Sequence, residues 1–306
     1  MDRRTFLESI GKGAASVCLG ARNLTAGAGL MERLGVTSDE ITADFEAALK
    51  FIREFGLRWV EVRNLGNSYV TESSLDECRK AKALLDKYGV KLSVLDTALY
   101  KCNLPGTRTA RKDDYPYQEQ EALLRRALER SEILGSRFIR IFSFWRIDSP
   151  EAVFDRVVEH LQKACEIARA SGRILLLENV GGATAETGAE AARLLKAIPD
   201  LGLLWDPNNA YCAGERPCPD GYNHLDKKRI YHVHLRDAGR DPRTNRCEWR
   251  PVGKGEIDNV GLLRALLDGG FQGTLNLETQ YQRPDKNKEL ATRESLKGLL
   301  QAIENA

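Results

Sequence analysis

The chain has no long hydrophobic run, no excess of either charge and no Cys-x-x-Cys pair. Because no stretch approaches the roughly 18 apolar residues of a membrane helix, the sequence predicts no membrane span. The 46 basic and 44 acidic residues give a net charge of +2, so the sequence offers no electrostatic footprint for nucleic acid. What remains is a globular composition, and 306 residues are enough for one large domain or two smaller ones.

Cysteine is present but scattered. The seven cysteines are widely spaced, and their odd number argues against a disulfide framework. Without a Cys-x-x-Cys pair, a thiolate zinc site is also disfavoured. Cys212 and Cys218 flank a loop that contains glycine and proline, so one disulfide between them is left open.

The N-terminal segment differs from the rest of the chain. Arg3-Arg4-Thr5-Phe6-Leu7 precedes a weakly hydrophobic stretch of small residues, and Ala26-Gly27-Ala28 is typical of a cleavage site. The segment resembles a twin-arginine export signal, which predicts a periplasmic or exported protein. The alternative is an ordinary basic leader on a cytoplasmic protein. We assign residues 1–28 to the signal segment and 29–306 to the folded domain.

Eight apolar runs then alternate with segments of 3.6-residue periodicity, several of which end at glycine. The predicted strands are Leu30–Val36, Trp59–Val62, Leu92–Leu95, Phe138–Phe142, Ile174–Leu177, Leu203–Trp205, Ile230–Leu235 and Thr274–Leu277. This alternation predicts a parallel α/β sheet, and about 250 residues suit a single-domain (β/α)8 TIM barrel. A doubly wound open sheet is disfavoured because no glycine-rich phosphate turn follows the early strands.

Four predicted strands end in residues that bind metals: Glu178, Asp206, His234 and Glu278. Consecutive members are 28, 28 and 44 residues apart, and one strand–helix unit of such a barrel needs roughly 30 residues. Because parallel strands end at the same mouth, we expect the four side chains to converge. The mixed oxygen and nitrogen set favours one divalent cation, Mn²⁺, Mg²⁺, Co²⁺, Fe²⁺ or Zn²⁺, without a bias toward copper.

This ligand set suggests a reaction. Four protein ligands on an octahedral ion leave two positions for adjacent oxygens of a sugar or hydroxy-ketone, whose carbonyl the ion polarises. Glu178 and Glu278 are then placed to remove and return a proton next to that carbonyl. Structural explanations exist for single residues, since Glu178 can cap a helix and Asp206-Pro207 can form a turn.

Further residues near the predicted strand ends are candidate substrate contacts. His232 shares one strand face with His234, and Asp237 is predicted to orient His234. Trp145 and Trp249 are candidates for stacking on a sugar ring, and Arg146 for a polar contact. The full set of predicted substrate-binding residues is Glu61, Lys101, Arg140, Asn209, His232, Asp237, Arg250 and Lys254.

The motifs containing these residues resemble those of the xylose-isomerase-like TIM-barrel superfamily. They are Glu178-Asn-Val-Gly-Gly, Asp206-Pro-Asn-Asn, His232-Val-His-Leu-Arg-Asp237, Gly253-Lys-Gly-Glu-Ile-Asp258 and Leu277-Glu-Thr279. The resemblance extends from about residue 30 to the end of the chain. It implies that Glu178, Asp206, His234 and Glu278 bind one divalent ion, and that the two glutamates exchange a substrate proton. It therefore implies a sugar isomerase or epimerase of carbohydrate metabolism.

At two positions the chain departs from the motifs of particular branches of this superfamily, and each departure disfavours an activity. The endonuclease branch needs extra histidines for three zinc ions, but Asn209 stands where one is expected and the chain has only four histidines. DNA cleavage is therefore disfavoured. Ketose epimerases carry a second acid six residues after the first glutamate, where this chain has Thr184. A lyase or dehydratase on a keto-sugar or inosose, or a non-catalytic carbohydrate-binding barrel, stays open, as does a homo-oligomer.

Overall fold

The computed structural model describes residues 29–306, and the predicted signal segment lies outside the described residues. Eight parallel strands form a closed barrel, in which each strand pairs with its neighbours along the chain and the last pairs with the first. The strands are β1 (Leu34–Thr37), β2 (Trp59–Val62), β3 (Lys91–Leu95), β4 (Phe138–Ile141), β5 (Ile174–Glu178), β6 (Gly202–Trp205), β7 (Ile230–Leu235) and β8 (Thr274–Leu277). The predicted single-domain (β/α)8 barrel is confirmed.

Helices follow the strands and surround the barrel. They are α1 (Phe45–Glu54), α2 (Leu75–Tyr88), α3 (Gln120–Leu134), α4 (Phe154–Ala170), α5 (Gly188–Ala197), α6 (Pro207–Cys212), α7 (Asn259–Asp268) and α8 (Lys288–Glu304). Ser74 and Glu77 form a capping box at the start of α2, as Thr187 and Glu190 do for α5. Among residues 29–306, no helix is long and apolar enough to cross a bilayer.

The two faces of each strand have different neighbours. Leu175 and Leu177 of β5 belong to the large core between the barrel and its helices, whereas Leu176 belongs to a small separate cluster with Val94 and Leu204. Because side chains alternate along a strand, Glu178 projects to the same side as Leu176. The polar residues at the strand ends therefore point into the barrel lumen, above the small apolar cluster of Val94, Leu176 and Leu204.

The first strand differs from its prediction. It begins at Leu34, whereas residues 29–31 are helical and Leu30 packs in the core from that turn. Leu34 is where pairing with Leu275 of β8 begins. The side chain of Arg33 closes the turn by donating to the carbonyl oxygen of Gly29 over 2.9 Å. An apolar run alone did not distinguish a helical turn from a strand.

The long segment after β7 folds back on itself. Asp237–Arg240 pairs antiparallel with Cys247–Arg250, and the resulting hairpin is joined to the end of α6 by a Cys212–Cys247 disulfide. The pairing with Cys218 that the sequence left open is wrong, because the hairpin brings the Cα atom of Cys247 to 5.5 Å from that of Cys212. Cys218 remains a free, half-buried thiol. The disulfide thus fixes the hairpin at the barrel mouth.

We expect replacement of both Cys212 and Cys247 by serine to lower the free energy of unfolding by about 3 to 4 kcal/mol, because the disulfide closes a long loop in the unfolded chain. Denaturant unfolding would measure the loss, and a reductant should reproduce it in the wild type. Cys218→Ser serves as the control and should change little. Equal stability of the oxidised wild type and the double variant would contradict the prediction.

Candidate metal centre at the barrel mouth

Four buried side chains from four consecutive strands meet at the C-terminal end of the barrel. Glu178 is the last residue of β5, Asp206 follows β6, His234 lies in β7 and Glu278 follows β8. One ligand atom of each lies within 4.8 Å of those of the other three. The convergence predicted from the strand ends is what the structure shows.

The ring nitrogen Nδ1 of His234 faces the three carboxylates. It lies 3.7 Å from Oε1 of Glu178, 3.6 Å from Oδ2 of Asp206 and 3.4 Å from Oε2 of Glu278. Nδ1 is buried and, within residues 29–306, has no hydrogen-bond partner. Buried polar atoms normally have partners. Bonds of about 2.1 Å to a common cation place ligand atoms about 3 to 3.5 Å apart. The separations of 3.4 to 3.7 Å are close to that range, so the donor set fits a divalent metal ion after small side-chain shifts.

Glu61 holds the two histidines from below. Its Oε1 lies 2.7 Å from Nε2 of His234, and its Oε2 lies 2.7 Å from Nε2 of His232. The other ring nitrogen of His232 is 2.6 Å from Oγ1 of Thr274. All these polar atoms are therefore used within the barrel interior. The predicted substrate contacts from Glu61 and His232 are corrected, because both lie beneath the ligands and not on the cavity wall.

The charge states follow from these contacts. Burial raises the pKa of Glu61, but the two histidines outweigh it and hold that pKa well below its usual value. Burial lowers the pKa of His234, but Glu61 and Glu278 outweigh it and raise that pKa well above its usual value. Burial dominates at His232 and lowers its pKa. Glu61 is thus an ionised partner that holds Nε2 of His234 away from the cluster and leaves Nδ1 facing the carboxylates, where a metal ion would replace the proton of Nδ1.

Asp206 has two distinct oxygens. Oδ1 caps α6 by accepting hydrogen bonds of 2.9 Å from the backbone N–H groups of Asn208 and Asn209. Oδ2 faces His234. The side chain of Asn179 both donates to and accepts from the backbone of Asp206, each over 2.8 Å. The simple turn suggested by Asp206-Pro207 is instead the capped first turn of α6, and this cap orients the other carboxylate oxygen toward His234.

Arginines neutralise the three carboxylate ligands. Nη1 of Arg140 lies 3.2 Å from Oε2 of Glu178 and 3.0 Å from Oδ2 of Asp96. Arg236 forms an ion pair with Asp206, and its Nη1 lies 3.2 Å from Oε2 of Glu278. The ring of Trp249 covers the Arg236 guanidinium at 4.3 Å.

Glu278 has a second arginine partner. Nη1 of Arg63 donates to its Oε1 over 2.6 Å, while the same guanidinium also binds Asp39 and Glu40. Burial raises the pKa of Glu278, but Arg236, His234 and Arg63 outweigh it and lower the pKa to about 2. Glu278 is therefore ionised at neutral pH, as a metal ligand must be.

A cavity of about 640 Å³ opens above the ligands. Its wall includes Arg63, Tyr69, Lys101, Arg111, Arg140, Phe142, Glu178, Gly181, Gly182, Glu186, Asn209, Arg236, Trp249 and Glu278. Three predicted substrate contacts, Lys101, Arg140 and Asn209, are on this wall. A second cavity of about 490 Å³, beside Tyr211 and Pro217, contains none of the four ligands.

Three predicted contacts lie away from the cavity wall. Asp237 accepts hydrogen bonds from the backbone N–H groups of Ala238, Gly253, Gly255 and Ile257, so it closes its own loop and does not orient His234. Arg250 packs against Gly239 across the hairpin, and Lys254 is exposed to solvent. The hairpin, which the sequence did not predict, turns this part of the loop outward.

The site also contains residues that the sequence analysis missed, namely Arg63, Asp96, Asn179 and Arg236. Three of them could have been predicted from two sequence features, the position at a strand end and the alternation of side chains along a strand. Arg63 and Asp96 directly follow β2 and β3, so the strand-end rule applied to the ligands also covers them. Arg236 lies two residues after His234, so alternation places it on the same face. The residues that these side chains contact are remote in sequence, so the contacts could be identified only in the folded structure.

Solved structures resemble the chain in fold. A zinc-bound IolI protein aligns with a TM-score of 0.71 at 19% identity, covering 89% of this chain and 98% of that one. A D-tagatose 3-epimerase-like protein gives 0.66 at 21% identity, with 89% and 98% covered. AsbF of Bacillus anthracis, a probable 3-DHS dehydratase, gives 0.67 at 14% identity, with 86% and 97% covered. No curated protein sequence matches the chain.

A family model gives a match over most of the chain. The model of the xylose isomerase-like TIM barrel matches residues 49–302, which include all four candidate ligands and the whole of the cavity wall. The closed barrel and the ligand cluster at its mouth agree with that match. The chain therefore belongs to the xylose isomerase-like TIM barrel family.

Proposed function

We propose that the protein is a divalent-metal-dependent enzyme that isomerises or epimerises a sugar or polyol derivative by moving a proton next to a carbonyl. One observation carries the proposal: Glu178 and Glu278 end the first and last of four consecutive strands, with Asp206 and His234 between them. The two glutamates therefore flank the centre of the cluster. Relatives in fold that are described as a zinc-bound IolI protein and an epimerase-like protein support this function.

The residues divide the work as follows. When bound, the cation supplies Lewis-acid polarisation of the substrate carbonyl. Ionised Glu178 takes the proton from one face of the adjacent carbon, and a proton from solvent reaches the other face through Glu278, which accepts it from water and passes it on. Arg140 forms an ion pair with Glu178 and Arg236 forms one with Glu278, which fixes the positions of both carboxylates. Stacking on Trp249 holds the Arg236 guanidinium in place, so the flanking acids are preorganised before substrate binds.

The cavity suits a small polyol. Its volume of about 640 Å³ falls within the range of small-molecule sites, about 300 to 1,000 Å³. Tyr69, Gln280 and the backbone of Gly181 offer hydrogen-bonding groups along the wall. Phe142 and Trp249 provide apolar faces of the kind that pack on sugar rings.

A dehydratase is the second candidate, and one observation favours it. Thr184 stands where ketose epimerases carry a second acid, and in the fold it is buried, with its backbone N–H donating to the carbonyl oxygen of Phe144 over 2.9 Å. It offers no carboxylate to the cavity. A relative in fold is a probable dehydratase. The same proton abstraction followed by loss of a neighbouring hydroxyl would give water and an unsaturated product.

Export through the twin-arginine route is also proposed, on the Arg3-Arg4 motif. The Cys212–Cys247 disulfide supports it, because disulfides persist in oxidising compartments. Replacing both arginines by lysine should retain the protein in the cytoplasm, as measured by cell fractionation. An unchanged distribution would contradict the proposal.

Glu61 is expected to control metal affinity without contacting the metal. Glu61→Gln removes the charge that orients His234, and such changes beside a ligand typically weaken binding about 10- to 100-fold. Calorimetric titration with Mn²⁺ or Zn²⁺ would measure it. Glu129→Gln, on the exposed face of α3, is the charge-matched control. Equal affinity of wild type and Glu61→Gln would mean that the histidine does not depend on this carboxylate.

The reaction itself is tested by hydrogen exchange. In D₂O with Mn²⁺, we expect the protein to exchange a carbon-bound proton of a ketose in a sugar panel, followed by NMR. Chelation should abolish exchange, and Glu178→Gln or Glu278→Gln should slow it at least about 100-fold because each removes a general base. Metal content is measured in parallel, with Glu129→Gln as control.

The other results of this experiment separate the alternatives. Exchange that ignores chelation would contradict the metal-dependent mechanism. Loss of water from the substrate would favour the dehydratase. Binding without exchange for every sugar tested would favour a non-catalytic carbohydrate-binding barrel.

A further inference from the structure

We propose that the substrate of this cavity carries an anionic group, a carboxylate or a phosphate, and that Arg111 binds it with help from Lys101. The inference rests on the proposed function, because it concerns the substrate of the same cavity. It arises from the charges on the wall and from the way in which one arginine is seated there.

The cavity wall has more positive than negative groups. The cationic residues are Arg63, Lys101, Arg111, Arg140 and Arg236, and the acidic ones are Glu178, Glu186 and Glu278. Three of the arginines are already held by buried carboxylates of the metal centre. The excess is therefore concentrated on Arg111 and Lys101, which both belong to the loop between β3 and α3.

Arg111 presents an uncommitted guanidinium. Among the residues of the described part of the chain, it makes no ion pair within 4.0 Å, and its only hydrogen bond is from its backbone N–H to Thr109 Oγ1. The Cζ atom lies 5.3 Å from the ring centre of Trp145. The acidic wall residue Glu186 is engaged elsewhere, 3.8 Å from Nε of Arg146. Thus nothing in residues 29–306 neutralises this guanidinium.

The guanidinium of Arg111 lies in a space beside the main chain of Gly182, which we call its seat. A Cβ atom at Gly182 would overlap Cζ, Nε and Nη2 of Arg111, and Gly182 has φ +83°. Its carbonyl oxygen accepts a hydrogen bond of 2.8 Å from the backbone N–H of Arg146, which fixes the loop. Glycine at this position therefore leaves room for the guanidinium to lie against the main chain, four residues beyond Glu178. An arginine fork held in this way suits two-point binding of a carboxylate or phosphate.

Lys101 is only partly neutralised. Its Nζ lies 3.5 Å from Oδ2 of Asp114, and both side chains are about one-third exposed, at 30% and 32%. The same Asp114 oxygen also accepts from the hydroxyl of Tyr69 over 3.2 Å. Exposed ion pairs of this kind contribute little, so Lys101 keeps most of its attraction for an incoming anion. A neutral sugar can accept hydrogen bonds from these two cations but brings no negative charge to neutralise them.

The test is a binding comparison on the full chain as purified, by calorimetry at low salt. The probes are D-glucose, D-glucuronate and D-glucose 6-phosphate, which share a ring and differ in charge. We expect at least one anionic probe to bind 10-fold or more tightly than glucose, on the order of one charged hydrogen bond. The preferred anionic probe identifies the group as a carboxylate or a phosphate.

Variants localise the effect. Arg111→Gln should reduce the affinity for the anionic probe about 10- to 100-fold and leave glucose unchanged. Lys112→Gln, which removes a charge from the same loop outside the cavity wall, is the matched control and should not change the preference. Gly182→Ala retains the arginine but fills its seat, so it should lose the preference as well. Gly253→Ala is the control for the added methyl group, because Gly253 lies outside the cavity wall, has the same φ of +83° and its Cβ would meet nothing within 4 Å.

These experiments measure binding, so their outcomes do not depend on catalytic turnover. No preference of the wild type for either anionic probe over glucose, including no binding at all, would overturn the inference. A preference that survives Arg111→Gln would overturn the assignment to this residue. Thermal unfolding of each variant excludes misfolding as the cause of a loss. A protein that prefers the anion but fails the hydrogen-exchange experiment would contradict the enzymatic proposal alone.

Discussion

The buried carboxylate of Glu61 is the contact on which the rest of the site depends. It lies between two histidines, 2.7 Å from one nitrogen of each, and it is ionised because their attraction outweighs its burial. By occupying Nε2 of His234, it leaves Nδ1 facing three acids. A buried charge without partners would be very costly. The four candidate ligands can therefore adopt their arrangement only because Glu61 and the histidines are paired beneath them.

The charges of the mouth form one continuous network. Three ligand carboxylates are brought together in the barrel interior, and three arginines, Arg63, Arg140 and Arg236, stand beside them. Removing one partner from such a network leaves an uncompensated charge, which is far more harmful than removing an exposed pair. The arginines therefore offset the mutual repulsion of the three carboxylates. Among residues 29–306, Arg111 makes no ion pair and so stands outside this network, as the proposed binding of an anion requires.

Much of this site was predictable from strand ends. The limits of β2, β7 and β8 agree with the apolar runs, and the four ligands follow from acids or histidine at the ends of β5 to β8. The prediction failed for β1, where an apolar run included a helical turn. It also assigned Glu61 and His232 to the substrate. The alternation along a strand shows which face a side chain is on, but not how far it lies from the barrel mouth. Glu61 and His232 lie deeper than the cavity, so they contact a candidate ligand or one another and cannot reach a substrate in the cavity.

The sequence by itself determined the barrel and the set of side chains that faces its lumen, including the four candidate ligands, because a period of two along each strand fixes which side chains share a face. Only the tertiary structure decided which remote residues touch. The Cys212–Cys247 disulfide depends on a hairpin folding back over α6, and the seat of Arg111 depends on a glycine from a different loop. Such contacts are set by distances between segments that are far apart in the chain, and no local pattern records those distances.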